Sequence, residues 1–341
     1  MRYIPIVAVF VLIAGCASDP VQPLEEQFPS VPAHLPAMVY PANNVITREK
    51  VDLGRHLFYD KRLSNEGTIA CASCHVAAQS FSDAPNQVSQ GVQGARGLRN
   101  APMIVNVGYR KMMFWDGRAS TLEEQAMGAF LNSAEMQADT FAVAVLLRSD
   151  VYRAKWLAAF GDTSVSMPRV MQAVATFERT IVSANSRYDR FLQGNLNALS
   201  ALERKGMQLF FSSKALCSSC HSGPDLTDDL FHNVGLFHHY FDRGRYNVTK
   251  DPLDEGKFKT PTLRNVALSP PYMATGDSEK GLLTTLEQVV DHYNDGGTPF
   301  PNKDPRVKKL GLTDPEKASL VAFMKALTDS SVLTNPAWQQ P

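Results

Sequence analysis

The same five-residue signature occurs twice in this chain, as Cys71-Ala72-Ser73-Cys74-His75 and as Cys217-Ser218-Ser219-Cys220-His221. Cys-x-x-Cys-His is the pattern of covalent c-type haem attachment. Each thiol adds to one porphyrin vinyl group, and the adjoining histidine is set under the iron as its proximal ligand. Two complete signatures therefore predict two covalently bound haem c groups. They also constrain the fold, because a small domain that wraps a few helices around a haem uses the haem as much of its core.

Other uses of paired cysteines fit less well. Zinc would need both pairs brought together and would leave the histidines without a purpose. Structural disulfides suit an exported chain, and a thioredoxin-type redox site needs one pair, not two that are each followed by histidine. The full recurrence favours haem.

Four of the five cysteines belong to the signatures, and the fifth is Cys16. Arg2 precedes a short apolar run from Ile4 to Ala14, followed by Gly15-Cys16. The run is too short to span a bilayer and suits the core of an export signal. Ile13-Ala14-Gly15-Cys16 resembles a bacterial lipobox, so residues 1–15 read as a lipoprotein signal and Cys16 as a lipidated N-terminus. An ordinary cleavage site nearby is the alternative. Both readings place the mature chain in the periplasm, and the first adds a membrane contact through the lipid anchor alone. Residues 16–44, rich in proline and without periodicity, read as a tether and extended arm. Lys+Arg and Asp+Glu balance at 34 each, which gives no reason to expect nucleic acid as a partner.

The two halves repeat one another. Gly54-Arg55-His56-Leu57-Phe58 corresponds to Gly206-Met207-Gln208-Leu209-Phe210, and Phe81-Ser82-Asp83 to Leu226-Thr227-Asp228. Pro102-Met103-Ile104-Val105-Asn106-Val107 corresponds to Pro261-Thr262-Leu263-Arg264-Asn265-Val266, and Thr121-Leu122-Glu123 to Thr285-Leu286-Glu287. Val170, Val174, Phe177 and Ile181 share a helix face, with Pro168 suited to its first turn. Ser200 with Glu203, and Thr313 with Glu316, form capping-box patterns. The expected architecture is mostly α, with two tandem cytochrome c-like haem domains over residues 45–194 and 195–341.

A haem with one histidine ligand has a second face, and what fills it separates electron transfer from chemistry. Leu122 aligns with Leu286, and seven residues further on stand Ala129 and Tyr293. Tyrosine can coordinate iron and alanine cannot. None of the eight histidines lies between His75 and His221, so the first haem has no local histidine for its distal face.

On these residues the chain resembles the bacterial dihaem cytochrome c peroxidase and MauG family. The matching stretches are Leu53-Gly54-Arg55 to His75, Asn100-Ala101-Pro102, Phe114-Trp115-Asp116-Gly117-Arg118-Ala119, Glu135-Met136, Lys259-Thr260-Pro261-Thr262-Leu263-Arg264-Asn265-Val266 and His292-Tyr293-Asn294-Asp295-Gly296-Gly297. The resemblance implies that hydrogen peroxide is reduced at the His75 haem, with Glu135 as acid/base and Gln125 beside it. It implies a tryptophan between the haems at Trp115, and a calcium ion held by Asn100 and the backbone carbonyls of Ser269 and Pro271. By spacing alone Glu135 and Gln125 read equally as helix-surface residues, Trp115 as a core aromatic and Asn100 as a turn cap. Two departures stand out. The loop from Ala84 to Arg99 lacks the histidine that blocks the resting haem in peroxidases needing reductive activation. Tyr293 stands where many peroxidases have methionine, as in MauG and its relatives; Met273, His238 and His239 are rival ligands.

The expectation is a dihaem peroxidase that draws electrons from a small cytochrome c or copper protein. One alternative is a MauG-like enzyme that oxidises residues of a partner protein through a high-valent dihaem state. The other is a dihaem electron carrier without peroxide chemistry. A homodimer is left open.

Overall fold

The computed structural model describes residues 31–273 and 283–341. The export signal, Cys16 and the first part of the tether lie outside the described residues. The molecule is mostly helical, and its two-stranded ladder is the antiparallel pairing of Phe231–His232 with Phe258–Lys259.

Each half is organised by a pair of crossing helices. In the first half they are Arg48–Tyr59 and Met167–Glu178. The first is capped by the Thr47 side chain, which accepts from Lys50 N, and the second carries a proline in its first turn. Leu53, Leu57 and Phe58 from one helix and Val170, Val174 and Phe177 from the other close a single apolar cluster. In the second half the helices are Ala201–Phe210 and Asp314–Ala326, each opened by the capping box read from the sequence. Phe210, Leu320, Phe323 and Met324 form the corresponding cluster.

The crossing uses the same glycine in both halves. A Cβ on Gly54 would run into the Ala173 carbonyl and the Phe177 Cβ; one on Gly206 would run into the Ser319 carbonyl and the Phe323 Cβ. Glycine is present because two helix backbones touch there. On an exposed helix, glycine to alanine stabilises. Here the sign reverses: Gly206→Ala should cost about 1–3 kcal/mol or more, because the obstructing atoms are backbone. Calorimetry of the haem-loaded protein should record a lower melting temperature, and Gly54→Ala should behave alike.

Both ends of the chain pack on the first half, and the C-terminal end thereby ties the halves together. In the arm, Leu35 and Met38 are buried, and Asn44 donates to Glu123 Oε1 at 2.7 Å and to the Gln172 carbonyl at 3.0 Å. Beyond the last long helix the chain returns to the first half. Val332 joins the first apolar cluster, Trp338 packs against it, and Tyr59 Oη donates to the Trp338 carbonyl at 2.6 Å.

Candidate functional site

The two signatures fold alike. Cys71–Cys74 form one helical turn and Cys217–Ser219 a 3-10 turn. In each, the histidine N–H donates to the carbonyl of the first cysteine, at 2.9 Å for His75 and 3.0 Å for His221. This turn puts both thiols and the imidazole on one side. All four cysteines are unpaired. Burial raises the thiol of Cys71 and pushes those of Cys74 and Cys217 up to about 12.

Each imidazole is oriented by backbone. His75 Nδ1 lies 3.2 Å from the Phe81 carbonyl, and His221 Nδ1 lies 3.1 Å from the Leu226 carbonyl. The Pro102 and Pro261 carbonyls also lie near the respective rings and favour their protonated forms. Desolvation holds both imidazoles below their ordinary range, in the neutral form. With Nδ1 donating to a carbonyl, Nε2 carries the lone pair that a metal needs. Two unpaired thiols and a neutral, backbone-oriented imidazole per half suit covalently attached haem.

The distal helices also repeat. Leu122–Leu131 and Leu286–Asp295 are capped by Thr121 and Thr285, and Leu122 and Leu286 are both buried. Ala129 and Tyr293 therefore occupy equivalent positions. Tyr293 is half-buried, and its hydroxyl is raised first by desolvation, then by the charges of Cys220 and Cys217. The helix thus places it near the second signature. Of the rivals, His238 and His239 are exposed, and Met273 borders residues 274–282, outside the described residues.

On the first side, the loop after the Leu122–Leu131 helix turns back so that Met136 N donates to the Ala129 carbonyl at 3.4 Å. That turn presents Glu135. Asn132 Nδ2 donates to its Oε1 at 2.8 Å. Burial raises the Glu135 carboxyl, against opposing pulls from Asn132 and Arg118. Its charge in turn acts on the Cys71 and Cys74 sulfurs, which places it beside the first signature. The histidine-free loop packs on the same turn: Val92 N donates to the Glu135 carbonyl at 2.9 Å, and a Cβ on Gly91 would strike the Ala134 and Glu135 carbonyls. Gln125 is half-buried one helical turn before Ala129. No hydrogen bond joins it to Glu135 among the described residues.

Trp115 lies where the halves meet. Its Nε1 donates to the Asn100 carbonyl at 3.0 Å, and its own carbonyl accepts from Lys259 N at 2.8 Å. Beside it Arg99 pairs with Asp116 at 2.8 Å and with Asp242 at 2.5 Å, one acid from each half. Asn100 Nδ2 lies 3.5 Å from the Pro271 carbonyl, while its buried Oδ1 has no partner. Ser269 stands two residues before Pro271, with its hydroxyl donating to the Val266 carbonyl at 3.3 Å.

Several side chains near the sites escaped the sequence reading. Arg118 lies over the Phe114 ring at 3.4 Å and pulls on Glu135. His232 is held between Asp228 and Asp304, at 2.9 Å from each, close to Cys220. Glu178 is buried near Cys71 and pushed up to about 8, mainly by desolvation. Asn132 had a signal, since Asn three residues before a functional acid can cap its turn; Arg118 stood only within the matching stretch from Phe114 to Ala119, and His232 and Glu178 had none.

Comparison with known proteins shows the family. The model of the family described as di-haem cytochrome c peroxidase matches residues 48–197. Cytochrome-c peroxidase IdrP1 of Denitromonas iodatirespirans is 36% identical over 348 residues, covering 92% of this chain and 90% of that protein. Methylamine utilization protein MauG of Methylophilus methylotrophus is 35% identical over 328 residues, covering 96% and 95%. Among solved structures, a MauG-like protein associated with microbial copper homeostasis superposes with a TM-score of 0.85 at 35% identity, over 91% of this chain and 98% of that one. Sequence identity over nearly the whole length, a shared fold and the paired Cys-x-x-Cys-His sites lead to one conclusion: this chain is a dihaem oxidoreductase and belongs to the di-haem cytochrome c peroxidase and MauG family.

Proposed function

We propose that this chain reduces hydrogen peroxide to water at the haem on His75, while the haem on His221 is closed by Tyr293 and exchanges electrons. The observation that carries this reading is the difference between Ala129 and Tyr293 at equivalent positions of two equally capped helices. The bound haems supply metal centres that coordinate peroxide oxygen and exchange single electrons. Peroxide, two electrons and two protons give two waters, so two irons suit the stoichiometry.

The chain's own residues supply the rest. Cys71, Cys74, Cys217 and Cys220 would hold the porphyrins, and His75 and His221 would present Nε2 to the irons. Glu135 would move a proton between the peroxide oxygens from a turn fixed by Asn132. Gln125, on the same helix face as Ala129, would border the open side. Trp115, bonded to Asn100 on one half and Lys259 on the other, is suited to carry electrons across the interface. Asn100 Oδ1, buried without a partner near the Pro271 carbonyl, suits a calcium ion completed by the Ser269 carbonyl.

The electrons would come from a small redox protein. Tyr293 and the histidine-free loop also support a MauG-like role in which a partner protein is oxidised instead. We further propose a periplasmic location with Cys16 as lipid anchor; no helix among the described residues is long and apolar enough to cross a membrane.

Electron paramagnetic resonance of the resting ferric protein tests the reading. One high-spin signal should accompany one low-spin signal, and peroxide should react without prior reduction. Low-spin signals alone, with no response to peroxide, would instead establish an electron carrier.

A further inference from the structure

The halves grip each other at the loops that orient the proximal histidines. Asn106 and Asn265, equivalent in the repeat, both adopt left-handed backbone with φ of 58° and 56°. Their exposures are 1% and 0%. Within its own half, each amide closes onto the segment after the second crossing helix. Ser183 N donates to Asn106 Oδ1 at 2.7 Å, and Asp329 N donates to Asn265 Oδ1 at 2.6 Å.

Each Nδ2 then reaches into the opposite half. Asn106 Nδ2 donates to Asp225 Oδ1 at 2.8 Å, and Asn265 Nδ2 donates to Ser80 Oγ at 2.8 Å. Ser80 directly precedes Phe81, whose carbonyl faces His75 Nδ1; Asp225 directly precedes Leu226, whose carbonyl faces His221 Nδ1. The arrangement is reciprocal, and both bonds end one residue from an imidazole acceptor.

We infer that Asn106 and Asn265 are positioning residues, each fixing the proximal-histidine hydrogen bond of the haem in the other half and so setting that haem's reduction potential across the interface. This rests on His75 and His221 being the proximal ligands. The physical basis is that the Nδ1 hydrogen bond raises the basicity of Nε2 and stabilises the more oxidised metal. Ser80 is fully buried in left-handed backbone with φ of 57°, and the Asn265 bond to its hydroxyl restrains the residue that leads into the Phe81 peptide. The two bridges differ in charge. Ser80 is neutral, whereas Asp225 is a carboxylate that also pairs with Arg110 and Arg264. Charge-assisted bonds are the stronger class, so the His75 loop is the one more easily loosened.

The test uses the haem-loaded protein and two variants. Ser80→Ala removes the acceptor while leaving Asn265 its bonds to Asp329, and Asn265→Ala removes the donor. Spectroelectrochemistry should find the His75 haem easier to reduce by about threefold to tenfold, up to ~59 mV for one electron. The His221 haem should move less in both variants, although Asn265 belongs to its half. Resonance Raman of the ferrous protein should give a weaker iron–histidine stretch at the His75 haem. Should Asn265→Ala fail to fold, Ser80→Ala alone decides. Two retained haems with unmoved potentials, or a shift confined to the His221 haem, would overturn the inference. The ligand assignment has a separate control. If His75→Ala leaves the spectrum of the first haem unchanged, that assignment fails and the inference with it.

Discussion

Tyr293→Met should raise the reduction potential of the His221 haem by on the order of 100 mV or more, within the ~0.8 V range that axial ligands span. The direction follows from charge. Desolvation and the nearby Cys220 and Cys217 sulfurs keep the Tyr293 hydroxyl protonated in the polypeptide taken alone. A bound metal cation reverses that logic and can hold the phenolate. An anionic donor favours the more oxidised metal, and neutral methionine favours the reduced one. The substitution should change the ligand and not the fold, because the Leu286–Asp295 helix is fixed elsewhere: by the Thr285–Gln288 capping box and by Leu286 and Val290, buried in the second apolar cluster. The second haem should become a better electron reservoir and a poorer place to share oxidising equivalents. Peroxide access at the His75 haem should persist, since Ala129 and Glu135 are untouched. A MauG-like activity on a partner protein would therefore fall while turnover of peroxide with a small electron donor survives. If the spectrum and potential of the second haem stay as in the wild type, Tyr293 is not its ligand, and Met273 becomes the residue to test.

How much of this could be read beforehand depended on distance along the chain. The capping boxes at Ser200 and Thr313, the proline at 168 and the faces carrying Val174 and Leu320 are set by neighbours within one or two turns, and all are present. The repeat gave more than periodicity alone. It aligned Thr121 with Thr285 before either was known to be a cap, and so identified Ala129 with Tyr293. What spacing could not reveal are contacts between segments far apart in the chain. Asn265 meets Ser80 in the other half of the chain, and Val332 returns to a core built mostly from the first half. Arg118 was visible only as part of a matching stretch, yet its position over Phe114 makes it part of the electrostatics around Glu135. His232 between two carboxylates and Glu178 buried near Cys71 likewise depend on tertiary burial, to which local sequence is blind.

Glu135→Gln should slow the reaction of the ferric protein with peroxide by about a hundredfold or more, while both haems remain bound. Moving a proton from one peroxide oxygen to the other needs a group that both accepts and donates at nearly constant geometry. Glu135 meets the two structural requirements. Its turn is fixed by Asn132 and by the Val92 bond to its carbonyl, and burial holds its carboxyl above the usual range, where accepting a proton costs less. Glutamine preserves the size and can still take part in a hydrogen bond with Asn132, but it cannot carry a proton at neutral pH. Asn132→Ala should have a smaller effect in the same direction, because it loosens the carboxylate without removing it. Stopped-flow absorbance of the first haem, mixed with excess peroxide, measures both rates. A Glu135→Gln variant that reacts as fast as the wild type would leave the proton transfer to solvent or another group. Arg118 would then be the next residue to change, because it is the cation that acts on Glu135.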